Sequence, residues 1–119
     1  MSPLSPRDRE RIAELETFLT RVHRARGMVE RFATQPGDAE TLSITVRRAF
    51  NQLKLQFTAA GLDSLAQVCT GMEFAARTGS SHLAKSGKLR EGVGTLARLI
   101  EQERRSIVAS AQTRRADRD

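Results

Sequence analysis

The run FNQLKLQFTAAGLDSLAQVCTGMEF, residues 50–74, carries two helical periods separated by a glycine. Phe50, Leu53 and Phe57 recur at steps of three and four, and after Gly61 the same spacing resumes through Leu62, Leu65, Val68, Cys69 and Met72. Such steps keep side chains on one side of a helix, whereas a half-buried strand alternates at every second residue. Gly61 stands where a helix closes in the left-handed conformation, which costs glycine nothing and other residues a steric clash. The stretch therefore reads as the end of one amphipathic helix and the start of the next.

Working outward, the helix before Gly61 extends back to about residue 39 and adds Leu42, Val46 and Ala49 to its stripe. The helix after it adds Ala76 and stops near Thr78-Gly79-Ser80-Ser81. Upstream, Ser5-Pro6-Arg7-Asp8 is a helix start, with Ser as N-cap, Pro in the first turn and Asp where the helix dipole favours it. Ile12, Leu15, Phe18, Leu19, Val22, Val29 and Phe32 continue from there, so the first helix is expected over residues 6–33. Thr34-Gln35-Pro36-Gly37 breaks it, and Asp38 is expected to cap the second helix. A fourth helix is expected from Ser86 or Gly87 to residue 111, with Leu89, Val93, Leu96, Ile100 and Ile107 turned inward.

Four helical patterns on short connections predict an all-α fold, an antiparallel up-down-up-down four-helix bundle with helices packed about 20° from antiparallel. The expected organisation is a single domain over residues 1–112, followed by a charged, disordered tail at 113–119. The 119 residues leave no room for a second domain, and a chain of that size buries a core without a disulfide or a metal. Hydrophobic residues are 39% but aromatics only 4%, with no Trp or Tyr, so aliphatic side chains must fill most of the core.

One Cys excludes an internal disulfide, and one Cys with two distant His cannot supply four zinc ligands. No cofactor and no metal are expected. The N-terminus lacks a secretory pattern, and no apolar run approaches the ~18 residues that span a bilayer, so the expectation is a cytoplasmic protein without membrane contact. The net charge of +6 draws attention to acidic partners.

Within the second helix, Arg47, Arg48, Asn51, Lys54 and Leu55 share the surface opposite Phe50, Leu53 and Phe57. By periodicity alone this is a solvated helix face. Two further features change the reading. Asn51-Gln52-Leu53-Lys54-Leu55, Gly61, Leu65-Ala66-Gln67-Val68-Cys69 and Met72-Glu73 together resemble the signature of histidine-containing phosphotransfer domains, including the N-terminal phosphotransfer domain of chemotaxis kinases. The run Pro36-Gly37-Asp38-Ala39-Glu40-Thr41-Leu42 and the arginines before the motif resemble the chemotaxis-kinase version, and the likeness extends over residues 30–105.

Those domains carry His-x-Leu-Lys-Gly, a Gly ten positions after the His, and a helix with an apolar-Cys-x-x-apolar-Glu pattern. The resemblance places the phosphorylated imidazole at position 51, where this chain has Asn. Imidazole, with an ordinary pKa of about 6.5, offers a free ring nitrogen, whereas a carboxamide nitrogen has its lone pair delocalised into the carbonyl and is no nucleophile. The family's Gly one turn later is Leu55 here and fills the approach, while Lys54 keeps the charge that the resemblance assigns to stabilising the phosphoryl group.

The resemblance thus implies a degenerate, non-catalytic phosphotransfer domain in a bacterial two-component pathway. Its implied partner is a response-regulator receiver domain or a histidine kinase, bound through Arg47, Arg48, Asn51, Lys54 and Leu55 without accepting phosphate. Three alternatives stand beside it: a phosphotransfer protein using His23 or His82, a basic nucleic-acid-binding protein, and a homodimer joined through the long first and fourth helices. The absence of aromatic stacking platforms and of a distinct recognition helix disfavours nucleic acid. His23 reads as a partly exposed helix residue and His82 as part of the polar connection before the fourth helix. Cys69, Met28 and Met72 read as packing residues, and Glu73 as the partner of a nearby base or an exposed acid. No nucleophile stands with its own base, so an enzyme is the least supported class.

Overall fold

The computed structural model describes residues 4–118, with side chains through Arg114. Four helices account for nearly all of it: α1 (Pro6–Thr34), α2 (Ala39–Ala59), α3 (Asp63–Arg77) and α4 (His82–Arg118), with a short 3-10 turn at Pro36–Asp38. Among the described residues there is no strand. The fold is all-α, and each helix packs on two others: α1 on α2 and α4, α3 on α2 and α4.

Helix boundaries follow from their caps. The Asp8 amide donates to Ser5 Oγ at 3.0 Å and the Ser5 amide donates to the Asp8 carboxylate at 3.3 Å, closing a capping box at the start of α1. At the end of α2, Gly61 takes φ of +75°, the Leu62 amide donates to the Phe57 carbonyl at 2.8 Å and the Gly61 amide to that of Thr58 at 3.1 Å. This is the Schellman arrangement, and Leu62 is buried with Phe57 beneath it.

Three boundaries depart from expectation. Asp38 occupies the cap position of α2, but its side chain makes no capping hydrogen bond. The preceding 3-10 turn holds Asp38 at φ −107° and ψ 14°, outside the extended region from which a cap side chain reaches its amide. The second departure is the start of α4 at His82, several residues before Ser86. Ser81 is its cap, accepting from the Ala84 amide at 3.1 Å. Third, α4 continues beyond residue 111 to Arg118, into the segment expected as tail. Arg114, on this added length, is ion-paired with Asp8 at the start of α1.

The core is one cluster drawn from all four helices, centred on Phe18, Phe32, Phe50 and Phe57 with Leu15, Val22, Leu89, Leu96 and Ile100 around them. Full burial of such a side chain contributes about 1.5–3 kcal/mol. Phe18 and Phe57 meet with ring centroids 4.8 Å apart and planes tilted by 52°, joining α1 to α2. Between α3 and α4 the decisive residue is Gly92, where an added Cβ would come within 2.5 Å of Met72 Cγ. The missing side chain is what lets Met72 lie flat against α4.

Candidate functional site

Helical period alone carries the α2 residues outward. With Phe50, Leu53 and Phe57 buried, Asn51 must face solvent midway along the helix, and it does. Arg48 is also exposed, Arg47 and Lys54 are half-buried, and Leu55 keeps 61% of its surface open to water. Of the five residues singled out from sequence, Arg48, Asn51 and Leu55 lie on the uncovered side of α2 and Arg47 and Lys54 at its half-buried edge, and Lys54 is not free. Its Nζ donates to Glu73 Oε2 on α3 at 3.3 Å.

The face extends beyond α2. Ile44, Arg47, Arg48 and Asn51 form one wall of an open cleft of about 370 Å³, and Glu73 and Arg77 of α3 form the other. Arg47 and Arg77 also border an adjoining cleft of about 580 Å³, which reaches Lys85 and His82 at the start of α4. Ile44, Leu55 and Phe74 are exposed by 40%, 61% and 65%, large values for apolar side chains. Phe74 stands one turn before Arg77, so the two share a side of α3.

Charge is distributed unevenly here. Among the described residues, Arg47, Arg48 and Arg77 have no carboxylate within ion-pair distance. The cleft sets three guanidiniums against one acid, and Lys54 already holds that acid. Two polar atoms of its lining residues, Arg47 Nε and Glu73 Oε1, are enclosed without a hydrogen-bond partner on the protein. Enclosed donors and acceptors of this kind are held at a cost.

Phe74, Ile44 and Arg77 were not among the residues singled out from sequence. Phe74 breaks the Leu65–Cys69–Met72–Ala76 stripe, and an aromatic residue out of register with its helix's apolar period was the available signal.

The histidines lie elsewhere. His23 is exposed on α1. His82 is not in a connection but begins α4, with Nε2 3.2 Å from the Ala33 carbonyl oxygen and its ring 4.6 Å from that of Phe32. Cys69 is fully buried, and burial pushes its thiol up to about 12, with the Glu73 charge adding to the rise and Lys54 opposing it. It packs as a small apolar residue. Among the described residues no group of His, Cys, Asp and Glu could hold a metal ion, and no helix is long and apolar enough to cross a membrane.

Comparison with protein-family models, curated proteins and solved structures finds no match to this chain.

Proposed function

We propose that this chain is an up-down-up-down four-helix bundle of the histidine-containing phosphotransfer type that has lost its transfer chemistry. It acts in a bacterial two-component pathway, in the cytoplasm, by binding a response-regulator receiver domain or a histidine kinase without accepting phosphate. The order of the interhelical contacts supports the topology. Glu30–Arg90, Glu16–Arg104 and Asp8–Arg114 descend α1 as they ascend α4. Arg11 donates to the Ala60 carbonyl and Arg21 to Gln56, again in opposite order along α1 and α2.

One observation carries the functional reading: Asn51 stands exposed at mid-helix, with Arg47 and Arg48 a turn before it and Leu55 a turn after it. A side chain so placed meets an incoming protein first. A carboxamide there donates and accepts hydrogen bonds but forms no P–N bond. Exposed apolar side chains among arginines suit a protein partner, since interface centres favour such residues.

The test has two halves. Incubation with phosphorylated receiver domains should leave no acid-labile phosphohistidine on this chain, and a stable label on His23 or His82 would overturn the reading. Calorimetry against receivers and kinases from the same genome should find a partner whose affinity falls at least tenfold in Asn51→Arg. If no receiver or kinase binds, the docking half is lost. The double variant Asn51→His/Leu55→Gly should accept phosphate where Asn51→His alone does so poorly.

A further inference from the structure

We propose that the cleft between α2 and α3 is a non-covalent site for a phosphate-type oxyanion, gripped by Arg47, Arg48 and Arg77 with Asn51 at its edge. The site is defined by this chain's own charges and stands whether or not a receiver domain binds. Three arginines lining one cleft repel each other, and Glu73 is the one acid in that lining, with Glu40 bordering the adjoining cleft beside Arg47 and Arg77. Because Lys54 neutralises Glu73, the lining keeps a positive excess.

A guanidinium presents a planar fork of N–H donors that matches the oxygens of a phosphate, and two or three forks can engage one tetrahedral anion from different sides. Arg47 and Arg48 approach from α2 and Arg77 from α3, which is that arrangement. The Nε of Arg47 is enclosed and has no acceptor on the protein. A rotation of the guanidinium that uncovers this edge would offer an oxyanion in the cleft a donor that the folded chain leaves without an acceptor. Asn51 adds an amide donor that is neutral at every pH.

The α1–α4 side supplies a contrast, since Arg90, Arg104 and Arg114 each meet a carboxylate of α1. The shared chemistry is the phosphoryl group. It can come from a small free phosphate or from a phosphorylated side chain of another protein.

The experiment is a titration of the full-length ¹⁵N-labelled chain, reading backbone amides and arginine Nε–H resonances. Inorganic phosphate should produce saturable shifts at Arg47, Arg48, Asn51 and Arg77. Sodium chloride at matched ionic strength should not. Arg47→Gln and Arg77→Gln should each weaken the apparent affinity at least fivefold while circular dichroism stays unchanged, and Arg105→Gln should leave it unaltered. A phosphoserine peptide distinguishes the sources: binding tighter than inorganic phosphate assigns the cleft to a phosphorylated protein, and equal binding assigns it to free phosphate.

Shifts that do not saturate, that spread evenly over all arginines, or that chloride reproduces would overturn the site. So would tight, steeply salt-dependent binding of duplex DNA that Arg77→Gln leaves intact, because the arginines would then belong to a diffuse nucleic-acid surface. Receiver binding with a silent phosphate titration removes this proposal and leaves the docking reading standing. The converse result does the opposite.

Discussion

The two sides of the molecule treat arginine differently. Along α1 and α4, Arg90 holds Glu30 at 2.8 Å, Arg104 lies 3.8 Å from Glu16 and Arg114 meets Asp8. On α2 and α3, Arg47, Arg48 and Arg77 stand around a cleft without carboxylate partners, beside exposed Ile44, Leu55 and Phe74. On the first side these three pairs tie two long helices together in antiparallel register, while among the described residues other arginines of α1 and α4, such as Arg24 and Arg105, face solvent without an ion pair. The second leaves donors and apolar area uncovered, and what a fold leaves uncompensated at such a place is available to something outside it. Both sides rest on the same core, so the contrast belongs to surface chemistry and not to folding.

The largest effect should come from removing that shared support. Phe57→Ala takes away a fully buried ring that packs on Phe18 and is expected to destabilise the chain by about 3–5 kcal/mol, read as a fall in the urea midpoint. Both sides should be lost together in one transition. Retention of the α1–α4 ion pairs after the α2–α3 face has melted would show two independent units and break the comparison.

Next comes Gly92→Val, which drives a branched side chain into Met72 and should cost about 1–3 kcal/mol. It acts between α3 and α4, so amide shifts should concentrate on α3 and the cleft, with the Arg90–Glu30 pair retained. Uniform shifts along α1 would mean that the gap at Gly92 plays no part in seating α3.

A charge exchange sharpens the contrast directly. Arg77→Glu should move stability by no more than about 0.5 kcal/mol, the usual range for an exposed site, yet reduce partner or phosphate binding at least tenfold. Arg90→Ala should lower the urea midpoint slightly and leave binding unchanged. Equal behaviour of the two variants would erase the distinction between the sides.

The smallest effect is electrostatic. The Arg114 guanidinium holds the Asp8 carboxyl below its ordinary 3.8, so the pair's contribution is present above that value and is lost as pH falls through the lowered one. A carboxyl-carbon NMR titration should find Asp8 depressed in the native chain and close to its ordinary value in Arg114→Ala. An unchanged titration in the variant would remove this pair from the α1–α4 side.

Much of this architecture was legible from local pattern. The stripes of α1, α2 and α3 need only the 3.6-residue period, and Gly61 marks the end of α2 because only glycine takes φ of +75° without strain. The start of α4 was misplaced because Ser81 lies in a run of small polar residues, where capping and loop chemistry look alike until the Ala84 amide is seen donating to its hydroxyl. The length of α4 escaped for another reason. Arg114 reads as tail until Asp8, 106 residues away in sequence, is placed beside it.

For the candidate site, one wall was readable and the other was not. The helical period turns Arg47, Arg48, Asn51 and Leu55 away from the core whatever the rest of the chain does, so sequence alone determined that these residues share an exposed side of α2. It also determined the all-helical class, since apolar spacing is a property of neighbouring residues. Only the tertiary structure brought Glu73 onto Lys54, set Arg77 across from Arg47 and left Phe74 uncovered. Those facts depend on how far α3 can approach its neighbours, which side-chain volume decides across the packed interface, as at Met72 and Gly92.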